Sequence, residues 1–299
     1  MNQNTNHRTV RINPIIILFA LLIQSPIFAQ QPAFTDVIKG KGKPVLFIPG
    51  YACTGEIWDE TINEFDREIF ECHVLSLAGF GKTEGIMTEN YLERVASDIS
   101  DYISSNRLDQ PIIIGHSLGG LVALLVGINS GSSIEKIVCV DTWPFTPAAI
   151  DPEATVESQT MMAETYFKFD SIPLGIKYSQ TREEVKPYVE VLTRCQDKVG
   201  MLLDMTVNSE DRICKQAMFD MFTIDTRSKL SEISAPVLIL GTWFAYKDYG
   251  ITAESTTEAL TVQYSNLKSK EIYVHSDSGH FIMWDAPEWF MYHLFKFLK

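Results

Sequence analysis

The ten residues Pro111–Gly120 constrain the fold of this chain more than any other segment. They read P-I-I-I-G-H-S-L-G-G, an apolar run followed by Gly115-x-Ser117-x-Gly119 and by an apolar helical pattern over Leu118–Ile128. To turn from a strand into a helix within one residue, Ser117 must adopt a strained backbone conformation that pushes its hydroxyl out of the sheet. Neighbours two positions away come too close for side chains, which accounts for both glycines. The segment therefore predicts an exposed serine at a helix N-terminus, where unpaired N–H groups favour developing negative charge.

Alternating apolar runs and helical patterns extend this unit along the chain. Short apolar runs bounded by glycine and proline are typical of parallel strands that are covered on both faces. These runs are Pro44–Pro49, Cys72–Leu77, Pro111–Gly115, Lys136–Val140, Pro236–Leu240 and Glu271–His275. Helical patterns occupy Asn90–Ser105, Leu118–Ile128, Thr252–Leu267 and Pro287–Leu298. The alternation predicts an α/β fold with a mostly parallel, doubly wound sheet.

Residues 142–234 interrupt the alternation. This stretch has no clear strand, and its pattern is helical and rich in methionine and aromatic residues. We interpret it as a helical cap inserted between two core segments, residues 30–141 and 235–299. Some of its apolar side chains are expected to line a substrate pocket between cap and sheet, and the others to pack as core.

The N-terminal residues 1–29 have the pattern of a secretory signal peptide. Arg8 and Arg11 precede an apolar run over Ile15–Ile23, and small Ala29 ends the segment. This predicts cleavage after Ala29 and an exported protein, periplasmic or secreted, with an uncleaved membrane anchor as the alternative. Of the five cysteines, Cys195 and Cys214 lie in one segment and could pair, although spacing alone leaves this open.

Composition limits the partners that the chain can have. It carries 25 lysines and arginines against 38 acidic residues, a formal net charge of −13. Such a chain is repelled by phosphate backbones, which argues against nucleic-acid binding. No internal run reaches the ~18 apolar residues of a transmembrane helix, so no stable membrane insertion is expected after signal cleavage. The absence of a Cys-x-x-Cys motif argues against a metal site.

A serine hydroxyl is a poor nucleophile at neutral pH and needs a general base. His280 lies in a loop of small residues after the last predicted strand, which should bring it to the same sheet edge as Ser117. The other histidines beyond the signal peptide lie in predicted strands, in the serine turn or on the last helix: His73, His275, His116 and His293. The pattern therefore favours His280 as the base.

Four motifs together resemble the α/β-hydrolase superfamily over nearly all of the chain after residue 29. They are the turn at Gly115–Gly120, Pro49-Gly50-Tyr51, the loop Leu77–Thr83, and Ser278-Gly279-His280-Phe281 with the helix after Pro287-Glu288. The resemblance implies an exported serine hydrolase with a Ser-His-Asp triad that cleaves a small, apolar ester-like substrate through an acyl-enzyme intermediate. It implies no metal or organic cofactor.

The third member of the triad is left open between two aspartates. In the superfamily that the chain resembles, the acid usually follows the strand that corresponds to Pro236–Leu240. The first carboxylate after this strand is Asp248, which comes several residues later than in the common pattern. Asp141 ends the strand Lys136–Val140, a position that supplies the acid in some members. Asp248 is the preferred assignment, Asp141 the alternative and Asp277 a distant third.

The resemblance also indicates where an oxyanion and a substrate would bind. The backbone N–H groups of Leu118 and Tyr51 are the expected donors to an oxyanion. Aromatic residues after two strands should flank the pocket, and they suggest an apolar or aromatic acyl group. These are Trp143, Phe145, Trp243, Phe244 and Tyr246.

Two other functions remain compatible with the sequence. An aminopeptidase or amidase on the same scaffold would need a cap carboxylate to bind a substrate ammonium, and the candidates are Glu157, Glu164, Glu183 and Glu190. A binding protein that keeps the fold without turnover is the second alternative. In each case the partner is a small molecule, and the oligomeric state is open.

Overall fold

The computed structural model describes Met1 and residues 31–299, except residues 87, 131–132, 168, 245–246 and 248–249. Apart from Met1, the predicted signal peptide at residues 1–29 lies outside the described residues. Residues Pro32–Lys299 contain every element named below. Among the described residues, no helix combines the length and apolar character needed to cross a membrane.

A sheet of seven strands forms the centre of the fold. The strand order across the sheet is β1-β3-β2-β4-β5-β6-β7. All neighbouring strands are parallel except β1, which pairs antiparallel with β3. The doubly wound, mostly parallel sheet predicted from the sequence is therefore confirmed. The strands are β1 (Phe34–Gly40), β2 (Lys43–Ile48), β3 (Phe70–Leu77), β4 (Ile112–His116), β5 (Lys136–Val140), β6 (Val237–Thr242) and β7 (Lys270–His275).

Helices connect the strands and cover the sheet. In chain order they are α1 (Asp59–Asn63), α2 (Tyr91–Ser105), α3 (Leu118–Ser130), α4 (Val156–Tyr166), α5 (Arg182–Leu192), α6 (Gln196–Asn208), α7 (Asp211–Thr223), α8 (Ala253–Gln263), α9 (Ile282–Asp285) and α10 (Pro287–Leu298). The four helices predicted from periodicity correspond to α2, α3, α8 and α10, with ends that differ by a few residues.

Alternating residues of the inner strands enter two separate cores. In β2, Leu46 and Ile48 join a cluster with α2, α3 and α8, whereas Val45 and Phe47 join a second cluster with α9 and α10. Both faces of the sheet are thus buried, which is why the strands read as continuous apolar runs rather than as alternating patterns.

Strand β1 was not predicted, and its position explains why. Its sequence is F-T-D-V-I-K-G, and five of its side chains are exposed or half-buried rather than packed in a core, including Val37 and Ile38. It lies at the edge of the sheet and covers β3 in the register Phe34↔Leu77 to Gly40↔Glu71. An edge strand with little buried surface carries no apolar run for periodicity to detect.

The segment predicted as an insertion lies between β5, which ends at Val140, and β6, which begins at Val237. Its described residues contain α4, α5, α6 and α7, with α4 packed on α7 and α5 packed on α6. Helix α7 also contacts α2 of the core. The helical segment is therefore packed against the core through α7.

The disulfide that the spacing allowed between Cys195 and Cys214 is not present. All five cysteines are free. Cys214 is buried on α7, whereas Cys195 precedes α6 and its thiol donates to the carbonyl oxygen of Trp284. The two thiols therefore belong to different packing environments.

A buried carboxylate joins α7 to the core. Asp220 is 5% exposed, and its Oδ2 accepts a 2.9 Å hydrogen bond from the N–H of Leu92 in the first turn of α2. Burial raises the pKa of Asp220 to about 7, partly opposed by the N–H groups at this helix N-terminus. The ionised form is therefore less favourable in the folded protein than in the unfolded chain.

We expect the Asp220→Asn variant to weaken the pH dependence of stability. The folded pKa lies above the unfolded value of about 3.9, so Asp220 destabilises the fold progressively as pH rises from about 4 through 7. Asparagine keeps an acceptor for the Leu92 N–H but cannot ionise. Urea unfolding at pH 5 and pH 8 should show a smaller loss of stability in the variant, and an equal loss in both proteins would contradict the assignment.

Candidate active site

Ser117 occupies the turn between β4 and α3 in a left-handed backbone conformation, with φ of +54°. This region is costly for a residue with a side chain. The flanking glycines are required by close backbone contacts. A Cβ atom at Gly115 would lie 2.2 Å from the carbonyl oxygen of Gly119, and one at Gly119 would lie 2.4 Å from the carbonyl oxygen of Pro49. The strained serine turn has the geometry expected from the sequence.

Thr142 braces this turn from the neighbouring strand, and sequence reasoning missed it. Its hydroxyl donates to the carbonyl oxygen of Ser117 at 3.0 Å. A Cβ atom at Gly120 would lie 1.9 Å from the same hydroxyl oxygen, so the second glycine of the motif makes room for it. The N–H of Ser117 donates to the carbonyl oxygen of Val140 at 2.8 Å. The serine backbone is therefore fixed against the end of β5.

His280 is paired with Asp141. The distance from His280 Nδ1 to Asp141 Oδ2 is 2.5 Å, and the side chains are 20% and 6% exposed. The other carboxylate oxygen accepts the N–H of Thr242 at 3.2 Å. Asp141 itself has a φ of +46°, so this second turn at the sheet edge is also strained. The Nδ1–H of His280 thus points at a fixed carboxylate, and Nε2 is the ring nitrogen that does not take part in this contact.

The structure describes only one of the other two acid candidates. Asp248, the preferred assignment from the sequence, lies outside the described residues. Asp277 is an exposed partner of Arg194 in an ion pair. Among the described carboxylates it is Asp141, placed second from the sequence, that contacts the histidine.

His116 supports His280 and is itself neutral. Its Nε2 lies 3.0 Å from the carbonyl oxygen of His280, so Nε2 carries the proton and donates it. The two rings are 4.4 Å apart between centroids. Burial holds the pKa of His116 well below its usual value, and the adjacent His280 lowers it further. His116 therefore positions the backbone of His280 without competing for its proton.

Asp285 ties the His280 loop to the inserted segment, a role that no sequence pattern indicated. Its Oδ2 accepts the N–H of Gly279 at 2.7 Å. Its Oδ1 accepts the Thr193 hydroxyl at 2.7 Å and the Arg194 N–H at 2.9 Å. One carboxylate thus holds the residue before His280 against the junction between α5 and α6.

Two backbone donors lie beside Ser117 as expected. Leu118 begins α3, and Tyr51 follows Gly50, where a Cβ atom would lie 3.2 Å from Ser117 Cβ. Within the part of the chain that the structure describes, neither the N–H of Leu118 nor that of Tyr51 has a hydrogen-bond partner. Unpaired N–H groups next to a nucleophile are the components of an oxyanion hole.

A cavity of about 790 Å³ opens onto these groups and is predominantly apolar. Ser117, His280 and Asp141 contribute to its wall together with Tyr51 and Leu118. Much of the remaining wall comes from the inserted segment, including Thr146, Pro147, Ile150, Phe167, Tyr178, Val185, Tyr188, Val189, Leu192, Leu202, Met218, Met221 and Phe222. A cavity of this size and character accommodates a small organic molecule.

Only some of the residues predicted to bind substrate line this cavity. Trp143 lines it. Phe145 does not, because it is fully buried against Ala148 and Ala154, with the Arg227 guanidinium 4.7 Å above its ring. Among the described lining residues neither Trp243 nor Phe244 is found. The prediction for Tyr246 falls on a residue outside the described ones.

The carboxylates considered for an aminopeptidase are also placed elsewhere. Among the described residues that line the cavity, none of Glu157, Glu164, Glu183 and Glu190 is found. Asp211 at the start of α7 does line it, although no sequence pattern indicated this residue. Among the described residues, no group of three or more histidine, cysteine, aspartate or glutamate side chains is arranged to hold a metal ion.

Known proteins with similar sequences are hydrolases. A pimeloyl-[acyl-carrier protein] methyl ester esterase from Vibrio campbellii is 28% identical over 67% of this chain and 76% of its own length. Human epoxide hydrolase 4 is 27% identical over 54% of this chain and 44% of its own length.

Solved structures show the same fold at lower identity. An esterase from Exiguobacterium antarcticum superposes with a TM-score of 0.69 at 19% identity, covering 88% of this chain and 94% of that one. An enol-lactonase from Burkholderia xenovorans superposes with a TM-score of 0.65 at 14% identity, covering 89% of this chain and 96% of that one. A family model described as alpha/beta hydrolase fold matches residues 43–287. With the sheet order and the serine turn, this match shows that the chain belongs to the alpha/beta hydrolase fold family.

Proposed function

We propose that this protein is a serine esterase that cleaves a small ester with substantial apolar surface through an acyl-enzyme intermediate. The observation that carries the proposal is the contact between His280 Nδ1 and Asp141 Oδ2 at the edge of the cavity that Ser117 also lines. Nucleophile, base and acid are the three groups that acyl transfer requires.

The first half of the reaction acylates the enzyme. Ser117 Oγ attacks the carbonyl carbon of the ester while His280 Nε2 accepts the hydroxyl proton. The negative charge that develops on the carbonyl oxygen is stabilised by the N–H groups of Leu118 and Tyr51. The intermediate then collapses, the alcohol leaves with the proton from His280, and the acyl group remains on Ser117.

The second half releases the acid. A water molecule loses a proton to His280 Nε2 and attacks the acyl carbon, and the bond to Ser117 Oγ breaks as the serine regains its proton. Asp141 stabilises the imidazolium that forms in each half, because its carboxylate accepts the Nδ1–H and is itself held by the N–H of Thr242. The reaction requires no cofactor.

The substrate class is supported by the cavity and by the relatives. The lining from the inserted segment, which we treat as a cap, is largely methionine, leucine, valine and aromatic side chains. The Vibrio relative is named a methyl ester esterase and the Exiguobacterium structure an esterase. We further propose export, which rests on the pattern of residues 1–29.

The test is a panel of p-nitrophenyl esters from acetyl to decanoyl, with one matched p-nitroanilide. We expect ester hydrolysis with a higher kcat/KM for acyl chains of medium length than for acetyl, because longer chains bury more apolar surface in the cavity. Faster cleavage of the anilide than of its matched ester would instead indicate an amidase. No cleavage of any ester, together with no labelling by a fluorophosphonate, would indicate a binding protein.

A further inference from the structure

One face of α7 contributes to the cavity wall and changes character along its length. Asp211 and Lys215 lie in its first turns, and Met218 and Phe222 follow at helical spacing. At 1.5 Å per residue, this stripe is about 16 Å long. The cavity therefore has a polar end and an apolar end along a single helix.

Asp211 carries an unpartnered oxygen at the polar end. Its side chain is 5% exposed, and within the described part of the chain its Oδ1 has no hydrogen-bond partner. Burial raises the pKa of this carboxyl, whereas hydrogen bonds from Ser179 and the charge of Lys215 lower it in part. A buried carboxylate oxygen without a donor is unfavourable, so a bound molecule that supplies an N–H or O–H would gain affinity there.

The surroundings of Asp211 indicate what kind of donor fits. Lys215 lies one turn beyond Asp211, contributes to the cavity wall, and forms no ion pair within 4.0 Å among the described residues. An acceptor beside a cation matches a neutral group that both donates and accepts, whereas Lys215 disfavours an ammonium and Asp211 disfavours a carboxylate.

We propose that the polar end of the cavity binds an amide group of the ester substrate, with its N–H donating to Asp211 Oδ1, and that Asp211 determines this specificity. The inference rests on the proposed esterase function, since it names the substrate class of the same cavity. The apolar end, with Met218 and Phe222, would then hold the alkyl part of the molecule.

The experiment compares esters that differ only at one terminus. There are two series of esters, one extended on the acyl side and one on the alcohol side. Each series contains a matched pair of compounds, one ending in a primary carboxamide and the other in an isopropyl group of the same shape. A hydrogen bond to a charged acceptor predicts a kcat/KM ratio of at least about tenfold in favour of the carboxamide in one series. In Asp211→Leu that ratio should fall to about one, and in Asp211→Asn it should fall less, because the asparagine carbonyl still accepts.

A matched control separates this effect from a general loss of acidic charge. Asp197 is an exposed aspartate in the first turn of α6, away from the cavity wall, and Asp197→Leu should keep the wild-type ratio. Equal rates for the carboxamide and isopropyl esters in the wild type would overturn the inference while leaving the esterase function intact. Preference for an ammonium or carboxylate terminus would overturn it as well, and cleavage of no ester at all would reject the esterase proposal itself.

Discussion

Replacing Ser117 by alanine is expected to lower kcat on p-nitrophenyl esters by about 10⁴-fold or more while leaving the fold intact. Removal of the nucleophile in a serine hydrolase leaves only the rate provided by the oxyanion hole and by binding. Alanine removes a single oxygen, and the contacts that hold the turn come from the backbone of Ser117 and from Thr142. The measurement is steady-state hydrolysis, with the melting temperature as a check on folding.

A covalent probe gives an independent reading of the same variant. A fluorophosphonate should add to wild-type Ser117 and to no other serine, and the Ser117→Ala protein should remain unmodified by mass spectrometry. Ser104→Ala is a suitable control, because Ser104 is exposed on α2 and is not among the described residues that line the cavity. Turnover and labelling that persist in Ser117→Ala would reject Ser117 as the nucleophile.

The serine turn was predictable because its determinants are local. An apolar strand, a glycine on each side and a helix that starts at the next residue all lie within Pro111–Gly120. The structure shows why both positions are glycine, because Cβ atoms at Gly115 and Gly119 would collide with backbone oxygens. The pattern of buried parallel strands was predictable for a similar reason, because both faces of each strand enter a core.

The contact between His280 and Asp141 was not predictable, because it depends on segments that are distant in the sequence. Ser117, Asp141, Thr242 and His280 follow or end β4, β5, β6 and β7, so the parallel sheet brings all of them to one edge. The sequence shows that carboxylates follow both β5 and β6 but contains no measure of which one approaches His280. That contact is fixed by the left-handed turn at Asp141 and by the N–H of Thr242 from the neighbouring strand.

The same limit applies to the residues that sequence reasoning missed. Asp285 lies only five residues after His280, but its partners Thr193 and Arg194 come from the inserted segment about ninety residues earlier. The aromatic residues Phe145, Trp243 and Phe244 were chosen because they follow strands, yet Phe145 is buried and among the described lining residues only Trp143 of the group is found. Position after a strand places a residue near the site but does not determine the direction of its side chain.

Substitution of the two candidate acids provides the sharpest test of the triad. We expect Asp141→Asn to lower kcat by about 10⁴-fold, because asparagine fills the same space but removes the charge that stabilises the imidazolium. Its amide would also present an N–H to His280 Nδ1, which favours the tautomer that carries the proton on Nε2 and cannot accept one from Ser117. The matched control is Asp248→Asn, which should retain nearly the wild-type kcat.

The two variants together distinguish loss of catalysis from loss of structure. Asp141 Oδ1 also accepts the N–H of Thr242, and the asparagine carbonyl can keep only one of the two contacts that the carboxylate makes. A modest loss of stability in Asp141→Asn is therefore compatible with the triad. The rate of its reaction with the fluorophosphonate must then fall far more than the drop in melting temperature would explain. If Asp248→Asn loses activity by orders of magnitude while Asp141→Asn retains it, the acid is Asp248, and the contact between His280 and Asp141 is structural. Loss of activity in both variants would mean that each carboxylate is needed. Because the single Nδ1–H of His280 donates to one acceptor at a time, the second aspartate would then have to act through the first.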